Sequence, residues 1–140
     1  MLTVLLVGLI FVSYAAKSQP RPANFGYIEK GDSMEFIFGQ QKTITIGNQV
    51  IVLKDRFSEI MVVNVAGDFN FWNPRDVEFI AVMGNDKIFR LTIAKNKIGR
   101  KGESRQFKFV INQTHWVEPP KDAPNQITGK DRNTNLIINL

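Results

Sequence analysis

The chain of 140 residues has no cysteine, a single histidine and two tryptophans. Without cysteine there are no disulfides, no thiolate nucleophile and no thiolate-held metal, so whatever domain forms is held together by its core alone. The lone His115 cannot by itself define a catalytic triad. Beside Trp116 in a strand-like run it reads as a surface or packing residue. Also missing are a G-x-S-x-G elbow, an H-E-x-x-H helix and a Gly-rich phosphate loop. The 13 acidic residues permit chance pairs, such as Asp68 with Asp76 or Glu78, that carry little weight for glycoside chemistry. The stretch Asp68-Phe69-Asn70-Phe71-Trp72-Asn73 has a calcium-loop flavour, but it puts Trp72 at the fifth position and Asn73 where glycine belongs. The expectation is no enzyme, no cofactor and no metal site.

Charge is absent from the first sixteen positions, MLTVLLVGLIFVSYAA, which read as the apolar part of a secretory signal with small residues at its end. No Lys or Arg precedes that run, and its length approaches the roughly 17 residues that span a bilayer, so an uncleaved N-terminal anchor is the alternative. The expected location is outside the cytoplasm, periplasmic or extracellular, with membrane contact only if the segment is retained. All the charge, net +5, lies after it. The cluster Lys95, Lys97, Arg100, Lys101 and Arg105 has no interleaved aromatic and reads as a solvated hairpin loop rather than a nucleic-acid or membrane contact. Asn112-Gln113-Thr114 matches the N-glycosylation acceptor pattern, a tripeptide common by chance.

Sustained helical periodicity is missing as well. What is present is a series of short runs rich in β-branched and aromatic residues, punctuated by Gly, Asn and Asp: MEFIF, TITI, QVIVL, IMVVNVA, EFIAVM, IFRLTI, RQFKFVI, HWVE and NLIINL. Gly47-Asn48 predicts a tight hairpin between TITI and QVIVL, and Gly84-Asn85 a second turn. Residues 17–33, with Pro20, Pro22, Gly26 and Gly31, read as a flexible lead-in. The expected fold is one all-β domain over 34–140, an immunoglobulin-like antiparallel β-sandwich with an inserted hairpin at about 40–59.

Alternation assigns faces within these strands. Phe107, Phe109 and Ile111 share the core side and Lys108 the other, while Phe89, Leu91 and Ile93 share a face. In VAGDFNFWNP, Gly67 lets the backbone leave the sheet, Phe69 turns back onto the core, and Trp72 is pushed outward in a turn shaped by Asn70, Asn73 and Pro74. Trp116 also follows a turn-prone stretch. Two tryptophans in turns with a lysine on a nearby strand suit a pyranose ring, whose C–H face stacks on an indole and whose hydroxyls need polar partners at the rim. Two core plugs are the other reading of the same pair.

The order Val65-Ala66-Gly67-Asp68-Phe69-Asn70-Phe71-Trp72, then Gln106 to Asn112, Trp116 and Asn135-Leu136-Ile137-Ile138, resembles carbohydrate-binding module family 48. That family includes the glycogen-binding domain of the AMP-activated protein kinase β subunit. The likeness spans about residues 60–140. It implies a non-catalytic sandwich that binds α-1,4-linked glucan, with Trp72 and Trp116 as stacking aromatics and Lys108, Asn135 and Asn133 as hydrogen-bonding partners. Phe71 departs from the family pattern, which has a polar residue there, and the 40–59 hairpin is not part of the minimal module. The alternative expectation is a sandwich at the cell envelope that has lost the sugar and binds a protein partner, with residues 43–53 as an edge for strand addition.

Overall fold

The computed structural model describes residues 25–39, 43–52 and 57–140. The expected export segment, residues 1–16, and the first part of the lead-in lie outside the described residues. Among the described residues no helix is long and apolar enough to cross a membrane.

The elements are all strands and short 3-10 turns. In chain order they are β1 (Phe25–Lys30), β2 (Ser33–Phe38), β3 (Thr43–Ile46), β4 (Gln49–Val52), β5 (Val63–Gly67), β6 (Ile80–Met83), β7 (Phe89–Ala94), β8 (Ser104–Ile111), β9 (His115–Glu118), β10 (Gln126–Thr128) and β11 (Thr134–Asn139). Every pairing is antiparallel, in the order β1-β2-β7-β6-β5-β8-β9-β3-β4, with β10 and β11 joining at β8. The short β6 pairs with β5 at Val63↔Ala81 and with β7 at Met83↔Phe89, so the sheet curls and faces itself. The fold is an all-β antiparallel sandwich, as the alternation of the runs requires.

Period-two side-chain placement builds the core. Met34, Phe36 and Phe38 of β2 meet Phe107 and Phe109 of β8, all fully buried, with Phe36–Phe107 centroids 5.0 Å apart and Phe38–Phe109 5.4 Å apart. Full burial of one such ring contributes about 1.5–3 kcal/mol. Leu91 and Ile93 pack on this cluster beside buried Phe89, on the face that alternation assigns.

One correction concerns the lead-in. Residues 25–30 of the segment read as flexible form β1, registered on β2 from Phe25↔Phe38 to Lys30↔Ser33, with Phe25 buried against Phe109 at 5.0 Å. Its glycines signalled a loop, yet Gly31 (φ 58°) makes the β1–β2 hairpin turn and Gly26 sits within a strand. The Gly47-Asn48 hairpin forms as expected, Ile46 pairing with Gln49 and Gly47 taking φ 57°. After Met83 the turn is longer than a two-residue link. Gly84 N–H donates to Ile88 O at 2.9 Å, and Lys87, not glycine, takes the left-handed conformation at φ 59°.

Candidate functional site

The far edge of β8 is shared by two strands, and this division makes the site. β11 runs beside its first half (Leu136↔Phe107 to Asn139↔Ser104), and β9 beside its end (Val110↔Trp116, Ile111↔His115). Lys108 stands where the two part company. Because side chains directly opposite in an antiparallel pair share a face, Lys108, Val110 and Trp116 look outward from the core, and Glu118 joins them two residues on from Trp116. β3 then extends this face past β9, with Thr45 opposite Glu118.

Trp72 reaches the same face from the loop after β5. Asn70 is buried and organises that loop: its Oδ1 accepts from Gly67 N–H at 2.9 Å and its Nδ2 donates to Val65 O at 3.1 Å. Phe69 stacks on Phe79 with centroids 5.0 Å apart, which closes the core beneath the turn. Phe71 (φ 55°) and Trp72 (φ 56°) are both left-handed, and Trp72 N–H is held by Gly67 O at 2.8 Å. Gly67 itself is extended (φ −157°, ψ −179°), so glycine is needed there for space rather than for backbone freedom. A Cβ at that position would collide with Gln106 O and sit 2.6 and 2.7 Å from the Phe69 ring.

The two indoles meet with ring centroids 6.4 Å apart and planes tilted by 46°. Both are half-buried and neither belongs to the core cluster, so neither is a core plug. They line a cleft of about 670 Å³ together with Lys108, Glu118, Asn133 and Asn135, a size within the range of small-ligand sites. All five residues expected at a sugar site, Trp72, Lys108, Trp116, Asn133 and Asn135, therefore border one cavity.

Their settings differ. The Lys108 side chain is only 6 % exposed and its Nζ donates to Glu118 Oε1 at 2.7 Å, a fixed donor rather than a mobile rim lysine. Asn135 is half-buried and donates from Nδ2 to Gln106 Oε1 at 2.9 Å. Asn133 is exposed on a turn, its side-chain amide donating to Asp131 Oδ2 at 3.0 Å and its backbone N–H to Asp131 Oδ1 at 3.1 Å. These bonds, the backbone one first, hold the Asp131 carboxyl below its usual range, and the charge of Lys108 adds to the effect.

Sequence reasoning missed Glu118, Asp131, Thr114, Ile46 and Gly47 on the cleft wall. Glu118 was findable, since in HWVE it alternates onto the face of Trp116. Ile46 and Gly47 were not, because they arrive through the long-range β3–β9 pairing. The inserted hairpin, set apart from the minimal module, thus supplies a wall of the cleft.

Other features resolve as structure. The basic loop is largely paired: Lys95 with Glu29 and Lys97 with Glu78, both at 2.9 Å, and Arg105 with Glu103 at 2.6 Å. Asn112, of the acceptor tripeptide, ties β8 to the start of β5, its Oδ1 accepting from Met61 N–H at 2.8 Å and its Nδ2 donating to Glu59 O at 2.9 Å. His115 is exposed beside Thr114. Among the described residues no group of three or more His, Asp or Glu side chains is placed to hold a metal ion. No family profile matches this sequence, and no curated protein matches it.

Proposed function

We propose that this chain is a non-catalytic, exported sandwich that binds α-1,4-linked glucan, such as maltooligosaccharide, starch or glycogen, in the Trp72–Trp116 cleft. The observation that carries the reading is the aromatic pair, two half-buried indoles, Trp72 from the turn after β5 and Trp116 from strand β9 rather than from a turn, tilted by 46° over a cleft walled by Lys108, Asn133 and Asn135. An α-1,4 chain curves, so successive pyranose rings present their C–H faces at an angle. Tilted platforms suit that curve, whereas a flat β-1,4 chain calls for coplanar ones. An ammonium has three N–H donors. One from Lys108 goes to Glu118, which orients the others without using them up.

The carboxylates of the cleft speak for binding rather than cleavage. A glycosidase needs one carboxylic acid that carries a proton at working pH. Asp131 is held in the opposite direction. Pairing of Lys95, Lys97 and Arg105 with carboxylates leaves little of a phosphate-binding surface on the basic loop.

The test is intrinsic tryptophan fluorescence titrated with maltoheptaose and with a β-linked oligosaccharide of equal length, on the wild type, Trp72→Ala and Trp116→Ala. A saturable change for the α-glucan alone, lost in both variants, is expected. No change at millimolar sugar in a folded protein refutes the reading. A second reading, a protein partner joined by strand addition, draws on β4, which ends the strand order and exposes Val50 (68 %) and Val52 (56 %). Partner capture that survives Trp72→Ala, with no glucan retention, favours it.

A further inference from the structure

We infer that Glu118 and Asp131 make this cleft select uncharged glucan and turn anionic glycans away, an inference that rests on the α-glucan reading above. The ionisable residues on its wall are two carboxylates, Glu118 and Asp131, and one ammonium, Lys108. Among the described residues the cleft wall therefore carries one net negative charge.

The one cation among the described lining residues is already engaged. Lys108 Nζ lies 2.7 Å from Glu118 Oε1 with the lysine side chain 6 % exposed, so an incoming carboxylate or phosphate competes with Glu118 for it and gains no new pair. Among the described residues no arginine lines the cleft, and the planar guanidinium fork is the group that best fits carboxylate and phosphate oxygens. Asp131 stands at the outer edge as a carboxylate, oriented by the backbone and side-chain amides of Asn133.

Hydroxyl groups see the same wall differently. A neutral sugar brings O–H donors, and carboxylate oxygens accept them in charge-assisted bonds stronger than neutral ones. An acidic sugar brings acceptor oxygens to the same place, where the like charge repels it. Two residues thus favour one class of glycan and reject the other.

The test compares maltoheptaose with the same oligosaccharide oxidised at C6 to carboxylates, read by tryptophan fluorescence at low and high salt, on the wild type and Asp131→Asn. The wild type is expected to favour the neutral sugar by about tenfold at low salt. High salt and Asp131→Asn should each narrow that ratio about threefold. A ratio near one in the wild type overturns the selectivity and leaves the glucan reading standing. So does a ratio that neither salt nor Asp131→Asn moves, because shape rather than charge then discriminates. Failure of maltoheptaose itself to bind removes the glucan reading and the inference with it.

Discussion

Removing the two partners of the Lys108–Glu118 pair should not be symmetric. At 2.7 Å the attraction between unit charges is roughly 6 kcal/mol at an effective dielectric of 20, but most of it offsets the cost of bringing Lys108 out of water. The lysine side chain is 6 % exposed and the glutamate 27 % exposed. Glu118→Ala strands the more deeply buried charge, and breaking a fully buried pair costs about 3–5 kcal/mol. Water in the cleft and the nearby Asp131 reduce this, so about 2–3 kcal/mol is expected. Lys108→Met keeps the aliphatic stem and leaves only Glu118, which water reaches, at a cost of about 1 kcal/mol or less. Urea unfolding followed by far-ultraviolet circular dichroism measures both. A loss for Lys108→Met equal to or larger than that for Glu118→Ala refutes the burial argument. Titration with maltoheptaose should rank them differently, the stable Lys108→Met variant losing binding at least tenfold through the missing donor.

Gly67→Ala should destabilise by about 2–3 kcal/mol through overpacking against the Phe69 ring, 2.6 Å from the new methyl group, and shift the tryptophan emission because the Trp72 turn hangs from Gly67 O. Asn112→Ala removes an amide that bonds Met61 N–H, Val62 N–H and Glu59 O at 2.8, 3.2 and 2.9 Å and puts alanine at φ 50°; a loss of about 2–3 kcal/mol in chemical denaturation is expected. Phe71→Gly should stabilise by about 0.5–1 kcal/mol, since the ring is 95 % exposed and the backbone left-handed; a lower melting temperature contradicts this. In acid, Asp86, hydrogen-bonded to Arg90, and Glu103, bonded to Arg100 N–H and Arg105, have folded pKa values below the ordinary 3.8 and 4.5. Their contribution is complete above those values and disappears as pH falls through the folded ones. The melting temperature should hold down to about pH 5 and drop below about pH 4, less steeply in Asp86→Asn.

The strands were legible because the rules that place them are local. Alternation in RQFKFVI sets Phe107 and Phe109 inward, and Gly47-Asn48 closes its hairpin through φ 57° at Gly47. β1 is not legible locally because Gly26 and Gly31 signal a loop, whereas burial of Phe25 against Phe38 and Phe109 decides the matter. The burial of Lys108 was not legible at all. Alternation gives its face, but the residues that wall the cleft on that face include Trp72 and Trp116, forty-four positions apart in sequence, and the β3 hairpin beyond them.

The Phe71-Trp72 turn is where local rules fail and the proposed function offers a reason. Two successive non-glycine residues are left-handed there, each at about 1–2 kcal/mol, in a loop that Asn70 and Gly67 hold by hydrogen bonds at 2.9 and 2.8 Å. A turn under no demand but stability would use glycine or asparagine at these positions. Here one strained position carries an indole to the cleft, where it meets Trp116 at 6.4 Å. Under the glucan-binding proposal the geometry that this strain produces, a tryptophan held out from the sheet beside Trp116, is what a stacking platform requires.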